Sequence, residues 1–234
     1  MAKTDELFHI GHRERLKDKF LDGKLSDYEK LELLLTYAIP RRDVRILART
    51  LLSHFGGVYH VLHAPISELT AVPGVGRSAA ILIKLFHDLN NVSHMQLAKT
   101  GDYLSDDVYR NNYCRNLVSD CCVEVTHVLY LGREYKLISD EVHSRGTVDE
   151  SLVYPREILQ RAMALNATGI ILVHNHPMSN NSFSSTDIEM TVELEKLLRA
   201  VDVRLVDHLL VTSGGIVHSY WAQPWVNKSS FFEK

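Results

Sequence analysis

The residues of this chain best suited to chemistry fall in one short stretch, GIILVHNHPMSNNSFSSTD, where His174, His176 and Asp187 could bind a metal ion. Gly169 to Val173 reads as a buried strand. Side chains alternate across a strand, so histidines two positions apart at its end project to the same side. Ten residues separate His176 from Asp187, a polar loop long enough to fold back and bring the carboxylate to the imidazoles. Three protein ligands with a fourth position open to water is the usual arrangement of a zinc site that does chemistry, because the metal draws the water's pKa down toward about 7. A simpler reading stands beside this one. Ser184-Ser185-Thr186-Asp187 before an apolar-periodic run is also a helix capping sequence, which needs no metal. A His-x-His pair can likewise arise by chance in a chain with 13 histidines. Strand, histidine pair, loop and cap agree on one geometry, and that agreement favours metal binding.

The elements that would position these residues change period along the chain. From Arg13 to Asn90 the pattern is one of short helices. Leu31, Leu34, Leu35 and Ala38 share helical spacing up to Pro40, which cannot continue a helix. A second helix follows in DVRILARTLLSHFGG, with Asp43 at the cap position and Gly56-Gly57 as the stop. Two more segments flank Pro73 to Gly76. A polar stretch without clear period follows, and a linker is placed at 96–106. Beyond it, THVLYL and LISDEVHSRG read as two strands around a Gly-containing turn. YPREILQRAMALN reads as a helix with Pro155 first and Glu157 in the first turn, where a negative charge suits the macrodipole. A long amphipathic helix over about Ser184 to Ala200 and two or three strands in RLVDHLLVTSGGIVHSY, turning at Gly214-Gly215, complete an α/β unit. The expected organisation is a helical domain over 1–95, the linker, an α/β domain over 107–225 and a tail over 226–234.

Composition narrows the classes. With 234 residues, 45% hydrophobic and 24% charged, the chain suits one large or two small globular domains and excludes collagenous or wholly disordered readings. No apolar run reaches the roughly 18 to 20 residues of a membrane span, and MAKTDELFHI lacks the pattern of a secretory signal, so a cytoplasmic protein is expected. Cys114, Cys121 and Cys122 imply no disulfide framework, and Cys121-Cys122 has no second pair at zinc-finger spacing. The net charge of −3 gives no global reason to expect nucleic acid, although the first 95 residues balance slightly positive and the remainder negative.

His174-Asn175-His176-Pro177 followed by Ser184-x-x-Asp187 resembles the JAMM (MPN+/JAB) metalloprotease motif in the form shown by RadC-type proteins. SRGTVDESLVYPREILQRAMALNATGIILVHNHP and the closing RLVDHLLV resemble the RadC domain as well, so that the likeness covers about 107–225. The resemblance implies a cytidine-deaminase-like α/β fold, a Zn2+ ion held by His174, His176 and Asp187, and a glutamate upstream as general base. Glu141, in a strand that could neighbour the histidine strand, is the residue carried over to that role. Glu157 competes but is explained by its helix, and Glu150 falls in a loop. Ser184 would hydrogen-bond the developing oxyanion or its water. Two departures bear on loop shape and substrate preference: Pro177-Met178-Ser179 stands where RadC proteins usually have Pro-Ser-Gly, and Phe183 precedes Ser184 in place of proline.

Residues 67–86, SELTAVPGVGRSAAILIKLF, match a helix-hairpin-helix pattern, a module that RadC proteins carry before the JAB domain. Gly74 and Gly76 would allow the tight turn, and exposed amides at the next helix start, with Arg77 and Lys84, could take a DNA phosphate. Such contacts are non-specific and salt-sensitive. A purely architectural turn is the alternative. His127, His143, His208 and His218 read as core or surface residues, and Arg156 as a local ion-pair partner. Trp221, Trp225, Phe231 and Phe232 lie in a short tail that could dock on the body or on a partner.

The leading expectation is a helical, helix-hairpin-helix domain joined to a zinc-dependent hydrolase domain acting on an amide or isopeptide of a protein or peptide, with a phosphodiester second. The resemblance also suggests an association with DNA repair. The rival is a non-catalytic DNA-binding or assembly protein with a structural or vestigial metal site.

Overall fold

The computed structural model describes residues 2–40, 42–101, 103–118, 121–146, 153–177 and 182–226, with side chains from residue 11 onward. The chain divides into two compact units, 1–90 and 91–234. Among the described residues, no helix is long and apolar enough to cross a membrane.

The first unit is helical: α1 (Ala2–Leu21), α2 (Asp27–Ala38), α3 (Arg45–Phe55), α4 (Val58–His63), α5 (Ile66–Ala71) and the beginning of α6 (Arg77–Ala98). Helix α2 starts at a capping box in which Ser26 and Glu29 satisfy each other's amides. Asp43 falls one residue before the cap of α3, where it accepts from the Arg45 amide at 2.9 Å. Leu35, Ala48, Leu51, Val61, Leu69 and Ile83 close the core with no exposed surface. Residues 96–98, placed at the start of the linker, continue α6, because a stretch without clear apolar period can still be helical when its neighbours propagate the hydrogen-bonded ladder.

The second unit is built on a mixed five-stranded sheet of order β2-β1-β3-β4-β5, from β1 (Val125–Leu131), β2 (Leu137–Arg145), β3 (Gly169–His176), β4 (Arg204–Thr212) and β5 (Val217–Ser219). Strand β1 runs antiparallel to both β2 and β3, while β3 and β4 are parallel and connected through α9 (Ser185–Arg199). Helix α7 (Asp107–Val118) covers the face formed by Leu129, Leu131, Ile171, Val173, Leu209 and Val211. Helix α8 (Pro155–Ala164) and α9 cover the other, formed by Val128, Tyr130, Ile170, Leu172 and Leu205. A central strand covered on both faces should read as a continuous apolar run, and β3 does until its last three residues. Those three are His174, Asn175 and His176.

Candidate metal centre

Strand parity decides which face the histidines take. Ile170 and Leu172 pack under α8 and α9, so His174 and His176 continue that row toward the start of α9. Helix α9 opens with a capping box: the Asp187 amide donates to Ser184 Oγ at 3.1 Å, and the Ser184 amide donates to Asp187 Oδ2 at 2.8 Å. The Ser184 hydroxyl also donates to Oδ2, at 2.7 Å. Cap and candidate ligand Asp187 therefore belong to one structure. The bonds that begin the helix also hold the Asp187 carboxylate against the histidines.

His174 Nε2 lies 3.1 Å from His176 Nε2 and 3.5 Å from Asp187 Oδ1, and His176 Nε2 lies 3.6 Å from Asp187 Oδ2. A tetrahedral cation with bonds of about 2.05 Å has ligand-to-ligand edges of about 3.3 Å. The observed separations lie near that value, although the two histidines approach different oxygens of Asp187, so one carboxylate oxygen would shift for the three side chains to hold a zinc-sized ion. Burial opposes ionisation of Asp187, but the neighbouring His174, His176 and the Ser184 hydroxyl outweigh it and hold its carboxyl well below the usual range. The group is an anion ready to meet a cation.

A fourth group joins them. Glu124, buried just before β1, brings a carboxylate oxygen so close that one ligand atom from each of Glu124, His174, His176 and Asp187 lies within 4.8 Å of every other. Its position is set by Asn175, whose side chain points to the opposite face from the two histidines around it. Asn175 Oδ1 accepts from the Val125 amide at 2.8 Å, and its Nδ2 donates to the carbonyls of Cys121 and Val123 at 3.2 and 3.1 Å. The Glu124 carbonyl accepts from the Gly146 amide at 2.9 Å. One amide side chain thus clamps the backbone on both sides of the glutamate.

The structure places Glu141, expected at this position, elsewhere. In the sheet register Glu141 is opposite Val128, which is opposite Leu172, whereas His174 is opposite Thr126 and through it Ser144. Glu141 is therefore two strands away, roughly 10 Å across the sheet, and two residues short along it. There its carboxylate takes a two-pronged bond from Arg161, at 2.6 and 3.0 Å, and accepts from the Ser139 hydroxyl at 2.7 Å. The Arg161 bond leads in holding its pKa low. Glu157 lies in the first turn of α8, and Glu150 falls outside the described residues. A signal for Glu124 was present in the sequence. In VEVTHVLYL it shares strand parity with Thr126, Val128 and Tyr130, making it an acidic residue at the mouth of an otherwise buried row.

His208, expected in the core or at the surface, is fully buried and connected to the site. Its Nε2 is 2.8 Å from His174 Nδ1, and its Nδ1 is 2.6 Å from Thr191 Oγ1. Burial, followed by the neighbouring His174, pushes its pKa well down. Phe183 stacks edge-on against His208, with ring centroids 5.0 Å apart, and packs with Leu210 and Tyr220. This aromatic anchor fixes the entry to α9 where a proline was expected. Residues 178–181 of the loop between His176 and Asp187 lie outside the described residues, as do Phe231 and Phe232. A cavity of about 340 Å³ is lined by Val118, Asn175 and Val211 of the α7 side together with Cys121, Cys122 and His176, and not by Glu124, His174 or Asp187.

In the helical unit, the hairpin residues fall between α5 and α6. Gly74 has φ +96°, a left-handed conformation that favours glycine, and a Cβ on Gly76 would meet nothing within 4 Å. Arg77 is exposed at the first position of α6. Lys84 is turned inward and donates to the Leu62 carbonyl at 3.3 Å, serving the carboxyl end of α4.

Comparison with known proteins agrees with this architecture. The model of the RadC-like JAB domain matches residues 104–225. A UPF0758 protein of Ruegeria pomeroyi is 41% identical over 209 residues, covering 86% of this chain and 91% of its own length. A UPF0758 protein of Fusobacterium nucleatum is 35% identical over 212 residues, with the same coverage of both chains.

Proposed function

Because the chain belongs to the family of RadC-like JAB domain proteins, we propose that its second unit is a zinc-dependent hydrolase of amide or isopeptide bonds. The observation that carries this reading is the convergence of Glu124, His174, His176 and Asp187 within 4.8 Å of one another. His174, His176 and Asp187 are the ligands, since their donor atoms lie 3.1 to 3.6 Å apart, near the edge length of a small coordination tetrahedron. When bound, zinc supplies Lewis acidity that polarises a carbonyl and lowers the pKa of water. Glu124 is the general base. Its carboxylate takes a proton from the attacking water as the oxygen bonds to the carbonyl carbon, and returns that proton to the nitrogen as the C–N bond breaks. Ser184 positions Asp187 through the hydroxyl that it donates to Oδ2.

Metal analysis and one pair of variants test the reading. Wild-type protein from zinc-replete medium should hold about one zinc per chain. Glu124→Gln should keep the zinc and lose about 10² to 10⁴ in turnover on an isopeptide-linked peptide panel, while Glu141→Gln stays near wild type. Wild-type protein without zinc, or a fully active Glu124→Gln, would overturn it.

A weaker second activity is proposed for the helical unit, because Gly74 adopts the left-handed turn of a hairpin that leaves Arg77 exposed at the start of a long helix. Non-specific contact with duplex phosphates follows from that geometry, through the hairpin amides and Arg77 and without Lys84. Arg77→Glu should weaken duplex binding at low salt and reduce its salt slope by about 1. Binding unaffected by this change would place any DNA contact elsewhere.

A further inference from the structure

His208 lies on β4 opposite Leu172 of β3, under α9, with no exposed surface. An imidazole buried this completely must have both ring nitrogens satisfied. His208 has one partner on each side: Thr191 Oγ1 at 2.6 Å from Nδ1 and His174 Nδ1 at 2.8 Å from Nε2. The order of protons along this line can be worked out from its far end. Thr191 Oγ1 is 2.5 Å from the Asp187 carbonyl, one helical turn back in α9. A carbonyl oxygen has no proton, so the hydroxyl must donate its only one to Asp187. Toward His208 the hydroxyl can then only accept, which requires His208 to be protonated on Nδ1. A neutral imidazole has a single N–H, so His208 Nε2 offers a lone pair, and His174 must donate to it from Nδ1. His174 Nε2 is left with its lone pair facing His176 and Asp187.

We propose that His208 is a positioning residue that, through Thr191 and the backbone of Asp187, locks His174 in the Nδ1-protonated tautomer required for a metal ligand at Nε2. The relay is closed on itself, because the helix that supplies the carboxylate ligand also dictates which nitrogen of the histidine ligand is free. The proposal rests on the metal-site reading above. It adds a residue that touches neither metal nor substrate. Outer partners of this kind commonly change metal affinity by about 10- to 100-fold.

The experiment has two readouts. In metal-free protein labelled with ¹⁵N at histidine, long-range ¹H–¹⁵N spectra should show His174 protonated on Nδ1. That preference should be lost in His208→Leu, and weakened in Thr191→Val, which preserves volume and frees His208 to exchange tautomers. Zinc affinity, measured by chelator competition, should fall about 10- to 100-fold in His208→Leu. His208→Gln, whose amide can accept from His174 and donate to Thr191, should recover most of it. If His208→Leu fails to fold, Thr191→Val and His208→Gln carry both readouts. Wild-type His174 protonated on Nε2, or a tautomer and zinc affinity unchanged in every folded variant, would overturn the proposal. Wild-type protein with the expected tautomer but no zinc affinity would instead sink the hydrolase reading and leave the relay standing.

Discussion

The two faces of the five-stranded sheet each bury histidine and carboxylate, yet the two clusters differ in kind. On the α7 face, Asp140 accepts from the Tyr113 hydroxyl at 3.1 Å and pairs with His127 at 2.9 Å. Asp207 accepts from the Ser219 hydroxyl at 2.7 Å and from the His208 amide at 2.8 Å, with Arg110 at 3.7 Å. Each carboxylate there faces donors of the protein itself, and the network is closed. On the α8/α9 face, two imidazole nitrogens and two carboxylates converge. Their outer atoms are held by Ser184, His208 and the Asn175 clamp while their inner atoms face one another. Buried anions need a compensating charge. The closed cluster contains its own, and the open one is shaped to receive it.

The sharpest way to break this contrast is to remove one acidic group from each side. Asp187→Asn should lower zinc affinity by more than about 100-fold, beyond the cost of losing an outer hydrogen-bond partner. Asp140→Asn should leave it unchanged in the same chelator competition. Equal losses would mean the two clusters are not distinct in function.

The closed cluster should instead reveal itself through stability. Burial pushes Asp207 up to about 6 from 3.8, against the pull of Ser219 and Arg110. Between those values the folded chain holds the proton and the unfolded chain does not. Stability from this group is therefore present at low pH and lost as pH rises through about 6. Asp207→Asn mimics the protonated form, so its stability relative to wild type should increase by up to about 3 kcal/mol between pH 4 and pH 7 in urea unfolding. A difference that does not vary with pH would show that Asp207 ionises normally.

Smaller effects sharpen the open side. Asn175→Ala leaves the Val125 amide and two carbonyls without their partner, and should destabilise by about 2 kcal/mol. It should also lower turnover while zinc stays bound, because it releases the segment that carries Glu124. Ser184→Ala removes a cap and should cost about 1 kcal/mol in thermal unfolding. Zinc affinity falling less here than in His208→Leu would rank the two supports of the ligand set.

Much of the site is legible in the sequence. Strand parity, the ten-residue return and the capping box depend on local backbone geometry, and His174, His176, Asp187 and Ser184 fall where those rules put them. Pro155 heads α8 and Gly74 makes its turn for reasons equally local. What escapes is everything that depends on which strands are neighbours and in what register. Glu141 lies within β2 and Glu124 just before β1, and although parity puts Glu124 in a buried row, parity alone does not say which of the two strands brings its glutamate to the histidines. The same holds for Lys84, whose charge suits a phosphate until α4 supplies a carbonyl for it.

The candidate ligands His174, His176 and Asp187 are thus written within one short stretch, because spacing along one strand and one helix cap is a local property. The approach of Glu124, the Asn175 clamp and the contact of His208 with His174 arise only when the sheet assembles. They depend on pairings between residues 34 to 54 positions apart, for His174 with His208 and Asn175 with Cys121. Such pairings are chosen by burial of the whole sheet between its helices, and no local preference encodes them.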